Sequence, residues 1–523
     1  MSEWRTIDDL VSDRAHGPLS SKVGILVDEV PYTFSEVNDH SNRWANALQS
    51  LGVNKGDLVA TFSPTCPEMI WVWFACSKLG AVFAPLNHAL RGEFLRHQLS
   101  DSGAATLVCS ADLFNDLARV SSSLSSLTTI VVIGSGGDGL PSDPQRNLVN
   151  SEEILFRNTD VSTNVSPNEL AAIMYTGGTT GPSKGVALSH MYILNVSKAT
   201  WVARGGNEET VCYSPLPLFH LNTPANTILG AYIGGATAAI DSTFTVSRFW
   251  DRIRLYKATQ TCLIGSMITM LWSRPSSPND SDNSLEILFG APVPADIHEQ
   301  FEDRFGLRIL TLFGLTEAFP ITLSSVELPP TPGTSGKTYE AYDVRLVDVD
   351  ENEVGPGQPG ELTCRPRRRG AMFSGYWKNP EGTLKALEDL WFHTGDICRF
   401  DEDDNLIFVD RIKDTIRRRG ENISSYEVEQ ALRLHPAVAD VAAHGVPSPV
   451  SEEDVKICVV LKEDSAVTPQ ELYYHCIEVM PRYALPRYIE IVDELPVSQV
   501  GRVLKYVLRE RGVTAETWDH EGT

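Results

Sequence analysis

Apolar positions in the first part of the chain recur in two periods. In "YTFSEVNDHSNRWANALQSLG", Val37, Trp44, Leu48 and Leu51 follow one another at helical intervals. Thr33 and Glu36 stand ahead of them in capping-box spacing, and Gly52 ends the run. "DLVATF" is a short apolar strand. Pro67 then opens a second helix, Gly80 closes it, and "AVFAPLN" supplies the next strand. This βαβ rhythm predicts a mostly parallel sheet covered by helices. "AAIMYT" and "GVALS" read as two further strands around a glycine-rich loop. Two stretches break the pattern. Across 119–147 run a Ser-rich helical patch, the strand "TTIVVIG" and a Gly/Asp/Pro-rich loop, and "SRPSSPNDSDNS" at 273–284 predicts an exposed loop. Neither suggests chemistry, and no fixed-period repeat is present.

From about residue 414 the texture changes. "SSYEVEQALRLHP" is helical, and "VADVAAHGV", "VKICVVLK" and "RYIEIVDEL" are strands. Thr468, Pro469 and Glu471 form a helix start with N-cap, first-turn proline and capping-box acid. The expected organisation is a large α/β N-terminal domain, 1–412, and a small α+β domain, 413–523.

Composition narrows the class. A chain of 523 residues suggests about three or four domains or subdomains. With 42% apolar and 21% charged residues it reads as a soluble globular protein. Its formal charge of −24 argues against non-specific binding to nucleic acid or an anionic membrane. No apolar run is long enough to span a bilayer, and the acidic start "MSEWRTIDDLVSD" is unlike a signal or transit peptide. Nine scattered cysteines with no C-x-x-C fit reduced thiols, so a cytoplasmic location is expected. Monomer and homodimer both remain open.

Residues 174–186, "MYTGGTTGPSKGV", hold four glycines, three threonines and one lysine. That is a phosphate-binding composition, since glycine lets the backbone approach an oxyanion and hydroxyls and N–H groups donate to it. The spacing is not Walker A: Pro182 and Ser183 separate Gly181 from Lys184. Flanked by strands, the loop is expected to be a hairpin crossing rather than a helix start. A plain Gly/Thr surface hairpin is the other reading.

The company of this loop matters more. Thr176–Gly185 resembles the T-S-G-T-T-G-x-P-K-G element of the adenylate-forming superfamily, which includes acyl-CoA synthetases, luciferases and adenylation domains. "LFGLTEA" (312–318) resembles its Y-G-x-T-E element, and "WFHTGD" (391–396) its T-G-D element. "DRIKDTIRRRGENISSYEVE" (410–429) resembles the hinge and small-domain start, and "GRVLKYVLRE" (501–510) lies at the terminal lysine motif. The order agrees and the resemblance covers nearly the whole chain, with the crotonobetaine/carnitine-CoA ligase-like branch the nearest in wording. It implies an acyl-CoA synthetase-like fold: a large N-terminal domain of helix-covered sheets and a small mobile C-terminal domain.

The resemblance also implies a reaction, in which a carboxylate attacks the α-phosphorus of ATP, acyl-AMP forms and pyrophosphate leaves. Such a site needs positive charge and fixed geometry more than a covalent nucleophile. Thr176, Gly178, Thr179, Thr180 and Lys184 would hold the phosphates. Thr316 would bond the α-phosphate, and Glu317 would ligate Mg2+. Phe313 would face adenine opposite the backbone of Gly290, Ala291 and Pro292. Asp396 and Arg411 would bond the ribose. His220 would gate an acyl pocket shaped by Asn222, Gly265, Met267, Gly314 and Phe319. With no carboxylate there to meet a quaternary ammonium, carnitine is not expected, and an apolar organic acid is. Taken singly, each residue has a bland alternative: a T-E pair on the surface, an aromatic in the core, an Asp in a turn, a hydrogen-bonded core His.

The acceptor would be coenzyme A, with an amine as the alternative. Lys413 would be the hinge, and Gly420 would let pantetheine pass. Arg417 and Arg419, in the run Arg417–Arg419, would meet the phosphates of CoA, although a solvated charged face is the default for such a run. One position departs from the family: where its catalytic lysine follows glycine, this chain has Arg502, and the nearest lysine is Lys505. Lys and Arg are not interchangeable. Arg502 bridges carboxylate and phosphate, or Lys505 does so after a shift in register, or the protein is a non-catalytic nucleotide-binding relic.

Overall fold

A computed structural model describes residues 4–134, 145–155, 157–176, 182–291, 293, 295–411, 415–462, 465–496 and 503–522. The helix expected after Thr33 runs Phe34–Ser50. Its capping box is formed, with Glu36 N–H donating to Thr33 Oγ1 at 3.1 Å and Thr33 N–H to Glu36 Oε2 at 2.8 Å. Val37, Trp44 and Leu48 are buried on its inner face. The next helix, Pro67–Leu79, ends at Gly80 in the left-handed region, whose N–H bonds to the Cys76 carbonyl. It is buried from Met69 onward on every face, because it lies between other layers rather than over them.

Among the described residues, two seven-stranded sheets form the large domain. In one, five parallel strands led by Asn147–Asn150 and ending at Val82–Leu86 are followed by Leu170–Thr176 and Lys184–Ser189. That last pair is antiparallel and stands at the sheet edge. The other sheet brings Gln260–Ile264 beside Ile287–Ala291 in parallel register, with Leu263 opposite Gly290. Two antiparallel units follow: the hairpin Leu312–Leu315/Ala318–Leu323, and a four-stranded sheet containing Phe392–Phe400 and Leu406–Arg411.

Past residue 414 a hairpin, Thr415–Arg418/Glu421–Ser424, leads into helix Ser425–Arg433 and a four-stranded sheet. The helix expected at Thr468 spans Pro469–Val479 and has its capping box. This region is not a free-standing lobe. A single apolar cluster joins Phe62, Leu86 and Phe94 of the large domain to Ile416, Ile423, Val428 and Leu432. At the seam, a Cβ on Gly92 would stand 3.0 Å from the Val479 carbonyl. Helix Gly92–Ser102 is thus the surface on which the small domain rests.

Candidate active site

The hairpin reading of the glycine loop holds at both ends, where Thr176 pairs with Lys184 across the antiparallel ladder. Gly178, Thr179 and Thr180 lie outside the described residues. Beyond the loop the chain at 374–377 runs alongside: Trp377 N–H donates to the Gly185 carbonyl at 2.7 Å, and Ser374 N–H to that of Ala187 at 2.8 Å. Gly185 permits this approach, since a Cβ there would meet Ile173 Cγ2 at 2.8 Å and Trp377 Cβ at 3.2 Å. The consequence is chemical. Tyr376 comes to lie under Lys184, whose Nζ stands 4.8 Å from the ring centroid.

Thr316 and Glu317 form the turn of the next hairpin, between paired Leu315 and Ala318. The Tyr376 hydroxyl donates to Glu317 Oε1 at 2.8 Å, and the Tyr192 hydroxyl to the Thr316 carbonyl at 3.0 Å. Phe373 N–H closes the turn on the Glu317 carbonyl at 2.8 Å. Glu317 is 7% exposed. Burial pushes its carboxyl above the usual range; the Tyr376 bond and the Lys184 cation oppose that, and the Asp396 carboxylate adds to it. Three motifs far apart in sequence therefore sit within one another's field.

Asp396 is buried, at 2% exposure, and its N–H is held by Thr394 Oγ1 at 3.1 Å. It lies opposite Arg411 in the strand ladder. Phe313 stands near-parallel to Phe408, with centroids 6.3 Å apart, and is half-buried rather than a core residue. Gly314 beside it has no room for a side chain, since a Cβ would lie 2.8 Å from Phe319 Cδ2. Gly290 is equally tight against the Leu263 carbonyl, at 2.7 Å. Pro292 and the side chains of Ala291 and Arg411 lie outside the described residues.

On the acyl side, His220 Nε2 lies 3.4 Å from the Glu421 carboxylate of the small domain, and its ring packs on Phe219 at 4.6 Å. Asn222 opens a π-helical segment, Asn222–Leu229, and its side-chain oxygen is buried with no partner among the described residues. Gly265 opens helix Gly265–Trp272, and Met267 packs partly buried against the neighbouring core. Gly420 turns the small-domain hairpin at φ +84°, and a Cβ there would collide with Ile264, the residue before Gly265. Gly420, Glu421 and His220 are thus brought to one place by the docked small domain.

The basic run divides. Arg418 is buried and paired with Asp454 at 3.0 Å, so it is structural. Arg417 Nε lies 3.8 Å from Glu452. Arg419, at φ +51° next to Gly420, is exposed. Lys505 is held inside the small domain, its Nζ 2.6 Å from Glu429 Oε1 and 2.7 Å from Ser425 Oγ. It braces the last helix, Lys505–Arg511, against Ser425–Arg433. Reaching a phosphate would require breaking a pair only 13% and 9% exposed, so the register-shift reading finds no support in this arrangement. Lys413 and Arg502 lie outside the described residues.

Sequence reasoning missed Tyr376, Tyr192, Phe408 and Glu421. Tyr376 lies in "SGYWKNP", which has no spacing relation to the loop it supports. Only Glu421 stood beside a named residue, Gly420.

The sequence and the fold both match known proteins. The family model for the AMP-binding enzyme matches residues 20–377, and that for the AMP-binding enzyme C-terminal domain matches 427–502. The chain belongs to the AMP-binding enzyme family. The family is the adenylate-forming superfamily that the motifs resemble, in its acyl-CoA synthetase branch. A crotonobetaine/carnitine–CoA ligase of Salmonella paratyphi B is 31% identical, over 91% of this chain and 93% of its own. The o-succinylbenzoate CoA synthetase of Bacillus subtilis superposes with a TM-score of 0.83 at 23% identity, covering 96% of this chain and 98% of that one. The amide bond synthetase of Marinactinospora thermotolerans gives the same TM-score and identity over 97% and 99%. No helix among the described residues is long and apolar enough to cross a membrane.

Proposed function

We propose that the protein is an ATP-dependent carboxylic acid–CoA ligase acting in two steps through an acyl-adenylate. The observation that carries this reading is the convergence of Lys184 and Glu317 on Tyr376, one on its ring and the other on its hydroxyl, at a buried turn that Asp396 also influences. A carboxylate oxygen of the acid bonds to the α-phosphorus of ATP, the bond to the α–β bridging oxygen breaks, and pyrophosphate leaves. Lys184 and Thr176 offset charge on the departing phosphates, Thr316 and Glu317 sit at the α-phosphate, and Asp396 accepts from the ribose hydroxyls. Phe313 offers adenine a flat face. Glu317 is a buried carboxylate that accepts from the Tyr376 hydroxyl, which fits a hard cation that keeps phosphate and water oxygens as its other ligands. Mg2+ bound there would neutralise phosphate charge. In the second step the CoA sulfur bonds to the acyl carbon, the acyl–phosphate C–O bond breaks, and AMP leaves. The Gly420 approach to Ile264 and the Glu421–His220 contact support the reading that a small-domain edge serves that step. Arg502 takes the place of the family's lysine, Lys413 is the pivot between the domains, and exposed Arg419, with Arg417 behind it, meets the CoA phosphates. The body of the acid is apolar, in keeping with Phe219, Met267 and Phe319.

The likeness to an amide bond synthetase favours one alternative, an amine as acceptor. A panel of carboxylic acids assayed for pyrophosphate release, with CoA, with amines and with neither, tests both. Thioester on adding CoA is the expected result; product only with an amine would replace the acceptor, and no release with any acid would remove the reading. Loss of pyrophosphate exchange in Arg502→Ala is expected, and full activity would count against Arg502.

A further inference from the structure

The T-G-D turn breaks its strand ladder. Between Gly360–Pro366 and Phe392–Phe400, Glu361 stands opposite Ile397 and Thr363 opposite His393. Residues 394–396 therefore stand across from Leu362 alone, a bulge with two residues more than a regular ladder holds. Extra residues in a bulge lose their strand partners on that side, and their N–H groups need others. Side chains supply them. Gly395, at φ +74°, donates its N–H to Glu361 Oε1 at 2.8 Å. The Asp396 N–H goes to Thr394 Oγ1 at 3.1 Å, and the Thr394 hydroxyl donates to the Leu362 carbonyl at 2.7 Å. The other oxygen of Glu361 lies 3.2 Å from His393 Nδ1, so one carboxylate grips the bulge at His393 and at Gly395. Both side chains are mostly out of solvent.

We propose that Glu361 is a positioning residue for the nucleotide sugar: it holds the bulge in the shape that aims the Asp396 carboxylate at the ribose hydroxyls, and so sets a preference for a ribonucleotide over a deoxyribonucleotide. The inference rests on the assignment of Asp396 to the ribose made above. Glu361 itself touches no substrate and acts through Gly395, the residue before Asp396. Glycine has no Cβ to restrict its own rotation, so the restraint on this turn comes from the hydrogen bond. A carboxylate acceptor makes that bond charge-assisted and stronger than one to a neutral carbonyl. On its other side Asp396 stays in register with Arg411, so the bulge is the edge that Glu361 alone fixes from the neighbouring strand with a charge. A hydroxyl-to-carboxylate bond is short and weakens steeply off line. A small shift of the bulge therefore costs recognition of the hydroxyls and leaves the contacts to base and phosphates in place.

The affinities of the full chain for magnesium ATP and for magnesium dideoxy-ATP, which lacks both sugar hydroxyls, isolate this contact by titration calorimetry without acid or CoA. The parent is expected to bind ATP roughly ten- to a hundredfold more tightly, the range for a hydrogen bond to a charged group, and Asp396→Asn to lose most of that ratio. Glu361→Ala is expected to lose most of it as well, whereas Glu361→Gln, which keeps an oxygen for the Gly395 N–H, retains part. Glu361→Met, of similar length and without an oxygen acceptor, takes the place of Glu361→Ala should that variant fold poorly. A merely structural Glu361 would weaken both nucleotides alike, and a parental ratio in the variant without an acceptor would overturn the proposal. A parent with no preference, or a parental ratio in Asp396→Asn, would strike the placement of the ribose at Asp396 and the proposal with it. Which of the three proteins keeps the ratio tells the two failures apart.

Discussion

The bond from the Tyr376 hydroxyl to Glu317 gives the sharpest test of the site. Tyr376→Phe removes one oxygen and keeps the ring over which Lys184 Nζ lies at 4.8 Å. What is lost is a hydrogen bond of 2.8 Å to a carboxylate only 7% exposed. A hydrogen bond to a charged group contributes about 1.5–3 kcal/mol. At about 1.36 kcal/mol per tenfold, the ionisation of Glu317 shifts toward the protonated form by roughly ten- to a hundredfold. The sign follows from the direction already present. Burial holds the Glu317 pKa above its ordinary value, the ionised form is the one that works, and activity is lost as pH falls through that pKa. Tyr376→Phe raises the pKa further, so the acid limb moves to higher pH. The measurement is kcat/KM for ATP in pyrophosphate exchange as a function of pH, which reports groups of the free enzyme. Below the limb the variant falls behind the parent by roughly ten- to a hundredfold, and above it the two converge. An acid limb that stays in place or moves down would refute the reasoning. A uniform loss at every pH would assign Tyr376 a direct contact with substrate instead.

Three further outcomes follow from the same geometry. Asp396→Asn removes the buried charge proposed to hold the ribose; kcat/KM for ATP is expected to fall roughly ten- to a hundredfold, and unchanged nucleotide kinetics would remove Asp396 from the site. Gly420→Ala forces a side chain at φ +84° against Ile264, a strain of about 1–3 kcal/mol, so thioester formation should slow several-fold or more while pyrophosphate exchange holds. Lys505→Ala leaves Glu429 without its cation and should destabilise the small domain by about 3–5 kcal/mol in denaturant unfolding; a folded, fully stable variant lacking only exchange activity would return Lys505 to the reaction.

The chain's local chemistry determined its elements and its family. Capping boxes at Thr33 and Thr468 and a left-handed glycine at Gly80 act within a few residues, so helix limits were legible without a third dimension. So was the hairpin around the glycine loop, because strand runs flank it directly. The ordered motifs, each short and rich in unusual residues, placed the catalytic fold and its candidate residues along the line. Tertiary structure alone decided which groups share a field. Tyr376 supports Glu317 and Lys184 only because three backbone segments converge at Gly185. Lys505, the alternative to Arg502 that needs a shift in register, is a brace here because helix packing sets Glu429 and Ser425 against it. The Arg417–Arg419 run reads as one patch, yet folding buries its middle member against Asp454 and leaves Arg419 in solvent. Local signals act through backbone dihedrals over a few residues, whereas charge pairing and burial depend on contacts between elements that no sequence interval records.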